Sequence, residues 1–170
     1  MTTKEIADRL VALCRAGRNV EAVETLLSPA VVSVEAMGDQ TMPAVMTGRE
    51  AVRGKNEWWV ANHKIHRTSV QGPYPNGDRF AVIFDFEVTP KIGATAGKRM
   101  RMQEVALYTV ADGAVVREEF FYDMSGGGEP TAAKPRAKKA RAKPARKTTR
   151  RPKARSGTKG KPARKARSRR

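Results

Sequence analysis

Residues 79–89 read Arg-Phe-Ala-Val-Ile-Phe-Asp-Phe-Glu-Val-Thr, "RFAVIFDFEVT". Phe80, Val82, Phe84, Phe86 and Val88 fall on one face of an extended chain; Ala81, Ile83, Asp85, Glu87 and Thr89 fall on the other. Alternation of this length marks a strand with one face in a core. Upstream, "KIHRTSVQGPY" (64–74) is a second strand, and Asn76-Gly77 in "PNGD" is a strong hairpin signal between the two. Downstream, Pro90 to Lys98 read as a loop and "RMRMQEVALYTV" (99–110) as a third strand. Ala111-Asp112-Gly113 turns it into a fourth strand, "AVVREEFFYDM" (114–124). Strands joined by hairpin connections make an antiparallel sheet whose apolar face needs a cover.

The cover lies upstream. "TTKEIADRLVALCRAG" (2–17) is a helix with Thr2 and Glu5 at capping-box spacing and Gly17 as its stop. Ile6, Leu10, Leu13 and Cys14 form its buried stripe, which makes Cys14 a small core residue. "NVEAVETLLSP" (19–29) is a shorter helix, with Asn19 as the expected cap and Val20, Val23, Leu26 and Leu27 inward. "AVVSVEA" (30–36) is a strand and "MGDQTMPAVM" (37–46) a loop. "TGREAVRGKNEWWVANH" (47–63) is a third helix, with Thr47 and Glu50 at capping-box spacing. Val52, Trp59, Val60 and His63 fall on or near one face, and Gly54 leaves the helix dependent on tertiary packing. The order is α-α-β-α-β-β-β-β, an α+β fold with a sheet curled around helices.

Charge divides the chain. Residues 1–124 carry 15 Lys+Arg against 16 Asp+Glu, and residues 125–170 carry 19 against one acid, Glu129. All ten aromatic residues precede Ser125. The expected organisation is a body over 1–124, a Gly-rich linker over 125–131 and a Lys/Arg/Ala/Pro-rich tail over 132–170. The tail has no Val, Ile, Leu, Met, Phe, Trp or Tyr. With nothing to bury, it cannot offset a backbone entropy of roughly 1–2 kcal/mol per residue, so disorder is expected. One cysteine leaves no intramolecular disulfide, and no signal peptide or membrane span is legible. The expected location is the cytoplasm, with nucleoid association through the tail.

The element order, with "LLSPAVVSVEA", the helix start Gly-Arg-Glu-Ala-Val and the closing "ADGAVVREEFFYDM", resembles the SnoaL-like branch of the nuclear transport factor 2-like superfamily across 1–124. The resemblance implies an α+β cone: a curved antiparallel sheet around helices, with a mostly apolar pocket open at one end. Members include polyketide cyclases, steroid isomerases and epoxide hydrolases, and many dimerise through the outer face of the sheet. A fold shared this widely does not choose the reaction.

Steroid isomerases of this superfamily place an Asp at the end of the first strand. The matching position here is Ala36 in Val34-Glu35-Ala36-Met37, and Glu35, one residue earlier, is expected on the opposite face. This counts against isomerase chemistry. Cyclases of the family use an acid on a late strand, which makes Asp123 the candidate catalytic base; as a bare strand-end carboxylate it would be merely solvated. The expected ligand-pocket residues are Trp59, His63, Glu104, Tyr108 and Tyr122. Glu104 and Glu118 share a register with the two tyrosines. Facing the pocket they would be candidate acids or bases; facing water they would be ordinary solubilising residues, and this second reading takes precedence. His63 and His66 do not make a metal set, and no cofactor motif is present.

The tail carries the sharper physics. Its cations are Lys134, Arg136, Lys138, Lys139, Arg141, Lys143, Arg146 and Lys147, then Arg150, Arg151, Lys153 and Arg155, then Lys159, Lys161, Arg164, Lys165, Arg167, Arg169 and Arg170. In composition it looks like the tails of linker histones. Such a run neutralises phosphates and releases their counterions, giving salt-sensitive binding without sequence preference. No interleaved aromatic residue supports base stacking. The expected partner is DNA or RNA, with polyphosphate, an acidic membrane or an acidic protein as alternatives. The first reading is a dimerising scaffold with a small-molecule pocket and a nucleic-acid-binding tail. The alternative is an isomerase, cyclase or hydrolase tethered by that tail.

Overall fold

The computed structural model describes residues 1–39 and 42–123, and the backbone of 129–130. The tail residues 132–170 and most of the linker, with the disorder and nucleic-acid binding expected of the tail, lie outside the described residues.

The chain forms α1 (Thr3–Arg15), α2 (Asn19–Leu26), β1 (Leu27–Val34), β2 (Val45–Thr47), α3 (Arg49–Asn62), β3 (His63–Asn76), β4 (Arg79–Pro90), β5 (Met100–Ala111), β6 (Ala114–Phe121) and the two-residue β7 (Glu129–Pro130). One curved sheet runs β2-β1-β6-β5-β4-β3, with β7 beside β5. The β3–β6 meander is antiparallel throughout. The expectation of a wholly antiparallel sheet is corrected at one junction: β1 lies parallel to β6, with Ser33 opposite Glu118. The chain between β1 and β6 contains β2, α3 and β3–β5, long enough for a parallel return.

Helix α1 starts as expected: Glu5 N–H donates to Thr2 Oγ1 and Thr2 N–H to Glu5 Oε2. It ends on Gly17, at φ 71°, with Arg18 N–H bonded to Leu13 O and Gly17 N–H to Cys14 O, the paired closure a left-handed residue permits. The other two caps are corrected. Arg18, not Asn19, is the N-cap of α2, and Gly48, not Thr47, that of α3; neither start has a side-chain cap. Thr47 is drawn into β2, a strand within the segment expected as a loop. The β3–β4 turn also sits one residue later than expected: Asn76 pairs with Arg79, leaving Gly77-Asp78 as the turn, with Gly77 at φ 64°.

The alternating face of β4 packs inward. Phe80, Val82 and Phe84 are buried with Ile6, Leu10 and Val11 of α1 and with Leu26, Val31 and Val52, and Val88 is buried farther along the strand. Arg15 fastens α1 to the curving sheet: Nε donates to Val70 O and Nη2 to Gly72 O, each at 3.1 Å. Strand β3 departs from regular register at Ile65/Arg67 and at Gln71/Tyr74, which bends it. Helix α3 is the least buried helix. Val52 is its buried residue, and Val60, expected inward, is 49 % exposed.

Candidate functional site

Between the helices and the concave sheet lies a cavity of about 490 Å³. Leu10 and Cys14 of α1 and Ala22 and Val23 of α2 line one side. The opposite wall is built by strand register: Phe84 faces Glu104, Phe86 faces Met102, Tyr108 faces Glu118 and Ala106 faces Phe120. Trp58, Trp59 and His63, from the end of α3 and the start of β3, also line it.

The expected pocket residues Trp59, His63, Glu104, Tyr108 and Tyr122 all line this cavity. His63 stacks on Trp59, with ring centroids 4.7 Å apart, and its Nδ1 lies 2.9 Å from Trp59 O. A carbonyl only accepts, so the proton sits on Nδ1. Trp59 in turn contacts Phe86 at 4.9 Å, and Tyr108 stacks on Phe80 at 4.9 Å. His66 faces Thr89 Oγ1 and stands apart from the cavity lining.

Asp123 is corrected. It is exposed and is not among the cavity-lining residues, because β6 ends at Phe121 and the inward position falls to Tyr122. The solvent-facing reading of Glu104 and Glu118 is also overturned. Glu118 is 4 % exposed and both line the cavity, on the register they share with Tyr108. Glu35 lines it too, against the expectation that it points away. Val31 and Ser33 are both fully buried, and Glu35 follows them at the same two-residue spacing.

The residue missed in the sequence is Lys55. Its Nζ donates to Glu35 Oε1 at 2.7 Å, Ser33 Oγ at 2.8 Å and Glu118 Oε1 at 3.0 Å, which engages all three of its N–H bonds. The ammonium also sits 4.2 Å from the centroid of Phe120. Ser33 Oγ donates to Glu118 Oε1 at 2.8 Å, and Tyr122 Oη donates to Glu35 Oε2 at 3.1 Å. Burial works against the Lys55 charge, but Glu118 and Glu35 outweigh it and raise the pKa above the usual lysine value. Lys55 is therefore a fixed cation and a poor nucleophile. The available signal was its place three residues after Val52 and four before Trp59, on the inward side of α3.

Glu104 is different. It makes no hydrogen bond or ion pair with any described residue. Burial, reinforced by Glu35 and Glu118 and opposed by Lys55, pushes its pKa to about 7. Burial raises Tyr108 well above the usual phenol value and Tyr122 to about 12, so both hydroxyls keep their protons at neutral pH. Burial, then Glu118 and Glu104, push the Cys14 thiol to about 12, in keeping with an inert core residue. Among the described residues, no group of three or more His, Cys, Asp or Glu is placed to hold a metal ion. No helix among them is long and apolar enough to cross a membrane.

A solved structure from Mesorhizobium loti, provisionally assigned as a SnoaL-like polyketide cyclase and also as a carbohydrate phosphatase, is 45% identical to this chain. The match covers 72% of this chain and 100% of that one, with a TM-score of 0.66. At 19% identity, a provisionally assigned polyketide cyclase from Pseudomonas putida shares the fold over 78% of this chain and 99% of its own (TM-score 0.59). So does a protein of unknown function from Burkholderia pseudomallei, an NTF2-like protein, at 17% identity over 75% and 95% (TM-score 0.58). No curated protein matches the chain. The family model described as SnoaL-like domain matches residues 1–122, and the chain belongs to the SnoaL-like domain family.

Proposed function

We propose that the body is a small-molecule site that exchanges a proton with its ligand through Glu104. One observation carries this reading. Of the four carboxyl groups lining the cavity, Glu35 and Glu118 are tied to Lys55 and Asp39 accepts from Met42 N–H, while Glu104 is left without a partner among the described residues. A carboxyl with a pKa of about 7 populates both protonation states at neutral pH, which suits a general acid or base. The reaction class that fits is a proton shift next to a carbonyl, as in isomerisation or cyclisation, with Tyr122 or Tyr108 as a neutral hydrogen-bond donor. The polyketide cyclase assignment of the 45% identical relative supports the same class. The carbohydrate phosphatase assignment of that relative transfers poorly, since a phosphate dianion would meet four carboxyl groups and one fully engaged lysine.

The test is exchange of C–H protons into D₂O, followed by NMR, for small cyclic ketones led by 2-tetralone. Acceleration above the buffer rate by the full chain, lost in Glu104→Gln, is expected. Wild-type protein that accelerates none of them would remove the proton-transfer role.

A second reading concerns the whole chain and rests on the 19 cations after Ser125. In this reading the tail holds the domain on nucleic acid without sequence preference. A homodimer would present two tails and gain avidity from their linkage. Ile83, Val105 and Phe121 supply an apolar row for such a dimer on the outer face of the sheet, where they are register partners and Phe121 is 54 % exposed.

A further inference from the structure

We infer that the ligand of this cavity is an organic cation, its charged nitrogen seated between Glu104 and the aromatic wall. The inference rests on the small-molecule reading above and adds the charge of the ligand.

Three observations converge on it. The first is charge balance. Glu35, Asp39, Glu104 and Glu118 line the cavity, and among the described residues Lys55 is the single Lys or Arg that does so. All three N–H bonds of Lys55 are engaged, so no lysine donor is left for an incoming anion. The second is the state of Glu104. Its carboxyl lines the cavity beside Phe84, its partner on β4, with no bond to a described residue. An ionised carboxylate in such a place needs a positive partner, and the described residues supply none in contact. The third is the wall. Phe84 and Phe86 lie parallel with centroids 6.0 Å apart, Trp59 packs on Phe86, and Phe120 already carries the Lys55 ammonium at 4.2 Å. Ring faces attract cations, most strongly where water is excluded. A protonated amine would add a charge-assisted hydrogen bond to Glu104.

A neutral ligand would use the apolar wall equally well but leave Glu104 to keep its proton. An anion would face excess negative charge. The three classes therefore separate by measurement.

The protein carries its own reporter, because both tryptophans of the chain, Trp58 and Trp59, line the cavity. Quenching of their fluorescence is titrated on the full-length chain with 2-aminotetralin, protonated at pH 7.5, and with 2-tetralol, its neutral counterpart of the same shape. The amine is expected to bind about ten-fold more tightly, and Glu104→Gln to erase the difference by weakening the amine alone. Binding of the amine near pH 7 should also release a proton, read on the wild-type protein as a dependence of calorimetric heat on buffer ionisation. The other ionisable groups around the cavity are Glu35, Asp39 and Lys55, Glu118 on β6, Tyr108 on the same strand as Glu104, Tyr122, Cys14 of α1 and His63. Proton release lost in Glu104→Gln assigns it to this group. Alcohol bound as tightly as amine overturns the cation and leaves the small-molecule site standing. A preference for the amine that survives Glu104→Gln overturns the assigned counter-ion. No quenching by either probe overturns both readings.

Discussion

Ser33 on β1 and Glu118 on β6 are register partners across a parallel strand pair, and Ser33 Oγ donates to Glu118 Oε1 at 2.8 Å. This pairing places a carboxylate that is 4 % exposed where Lys55 can reach it from α3. The same lysine reaches Glu35 just past the end of β1. One cation thus ties together two strands and a helix that has few other buried contacts. The site and the attachment of α3 share one set of bonds.

Lys55→Met tests that dual role. The variant keeps the stem but leaves Glu35 and Glu118 without counter-charge where the three side chains are only 5–14% exposed. Breaking a buried pair from one side costs about 3–5 kcal/mol. Urea unfolding should show a loss of that order, and adding Glu118→Gln should recover part of it, because the stranded charge is then removed. A loss below about 1 kcal/mol would mean that water already screens the network.

Glu104 has the opposite sign. Its folded-state pKa of about 7 lies above the ordinary carboxyl value of 4.5, so the folded protein holds the proton more tightly than the unfolded chain. Its contribution is intact below the unfolded value and is lost as pH rises through about 7. Lys55, raised above its ordinary value, stays charged across that window. Glu104→Gln should therefore match the wild type near pH 4.5 and exceed it by a few kcal/mol above pH 8, measured by urea unfolding at each pH. Parallel pH profiles for the two proteins would place Glu104 in contact with water.

Much of this fold was legible because local rules and tertiary structure agree. The alternation of Phe80 to Val88, the stripe of Ile6, Leu10, Leu13 and Cys14, and the Thr2–Glu5 box are all realised. Caps failed where a neighbouring strand had a stronger claim: Thr47 pairs with Val32 in β2, which leaves Gly48 to start α3. The charged end of the site was hidden for a different reason. Lys55, Glu35 and Glu118 are ordinary surface residue types, and each is buried only because the other two are present. That reciprocity spans 83 positions from Glu35 to Glu118 and depends on the parallel β1–β6 register, which no local pattern announces.

The outer sheet face yields a prediction about assembly. Ile83, Val105 and Phe121 align across β4, β5 and β6, with Val105 37 % and Phe121 54 % exposed. An apolar row of this kind suits an interface between copies, and a charge placed in it opposes association. Phe121→Asp is expected to sediment as a monomer with an unchanged circular dichroism spectrum, against a dimeric wild type. A monomeric wild type would remove the dimer from the proposal.

The tail makes the last demand, and it is quantitative. If residues 132–170 bind through phosphates, the affinity of the full chain for a random-sequence duplex should fall linearly on a log–log salt plot. The slope should be about −0.9 per phosphate neutralised. With 19 cations after Ser125 and no aromatic residue among them, changing the base sequence should leave the slope unaltered. The body alone, residues 1–124, has one more acid than it has Lys and Arg together, so it should not bind. Fluorescence anisotropy on both chains measures each quantity. If Phe121→Asp also separates a dimer, the same titration should show weaker binding with a shallower slope, because one tail then engages fewer phosphates than two. Equal slopes for monomer and dimer would mean that the tails act independently, and the scaffold role of the body would fall while the anchor remained. Weak binding by the full chain at physiological salt would overturn the anchor itself and leave the cavity as the whole of the function.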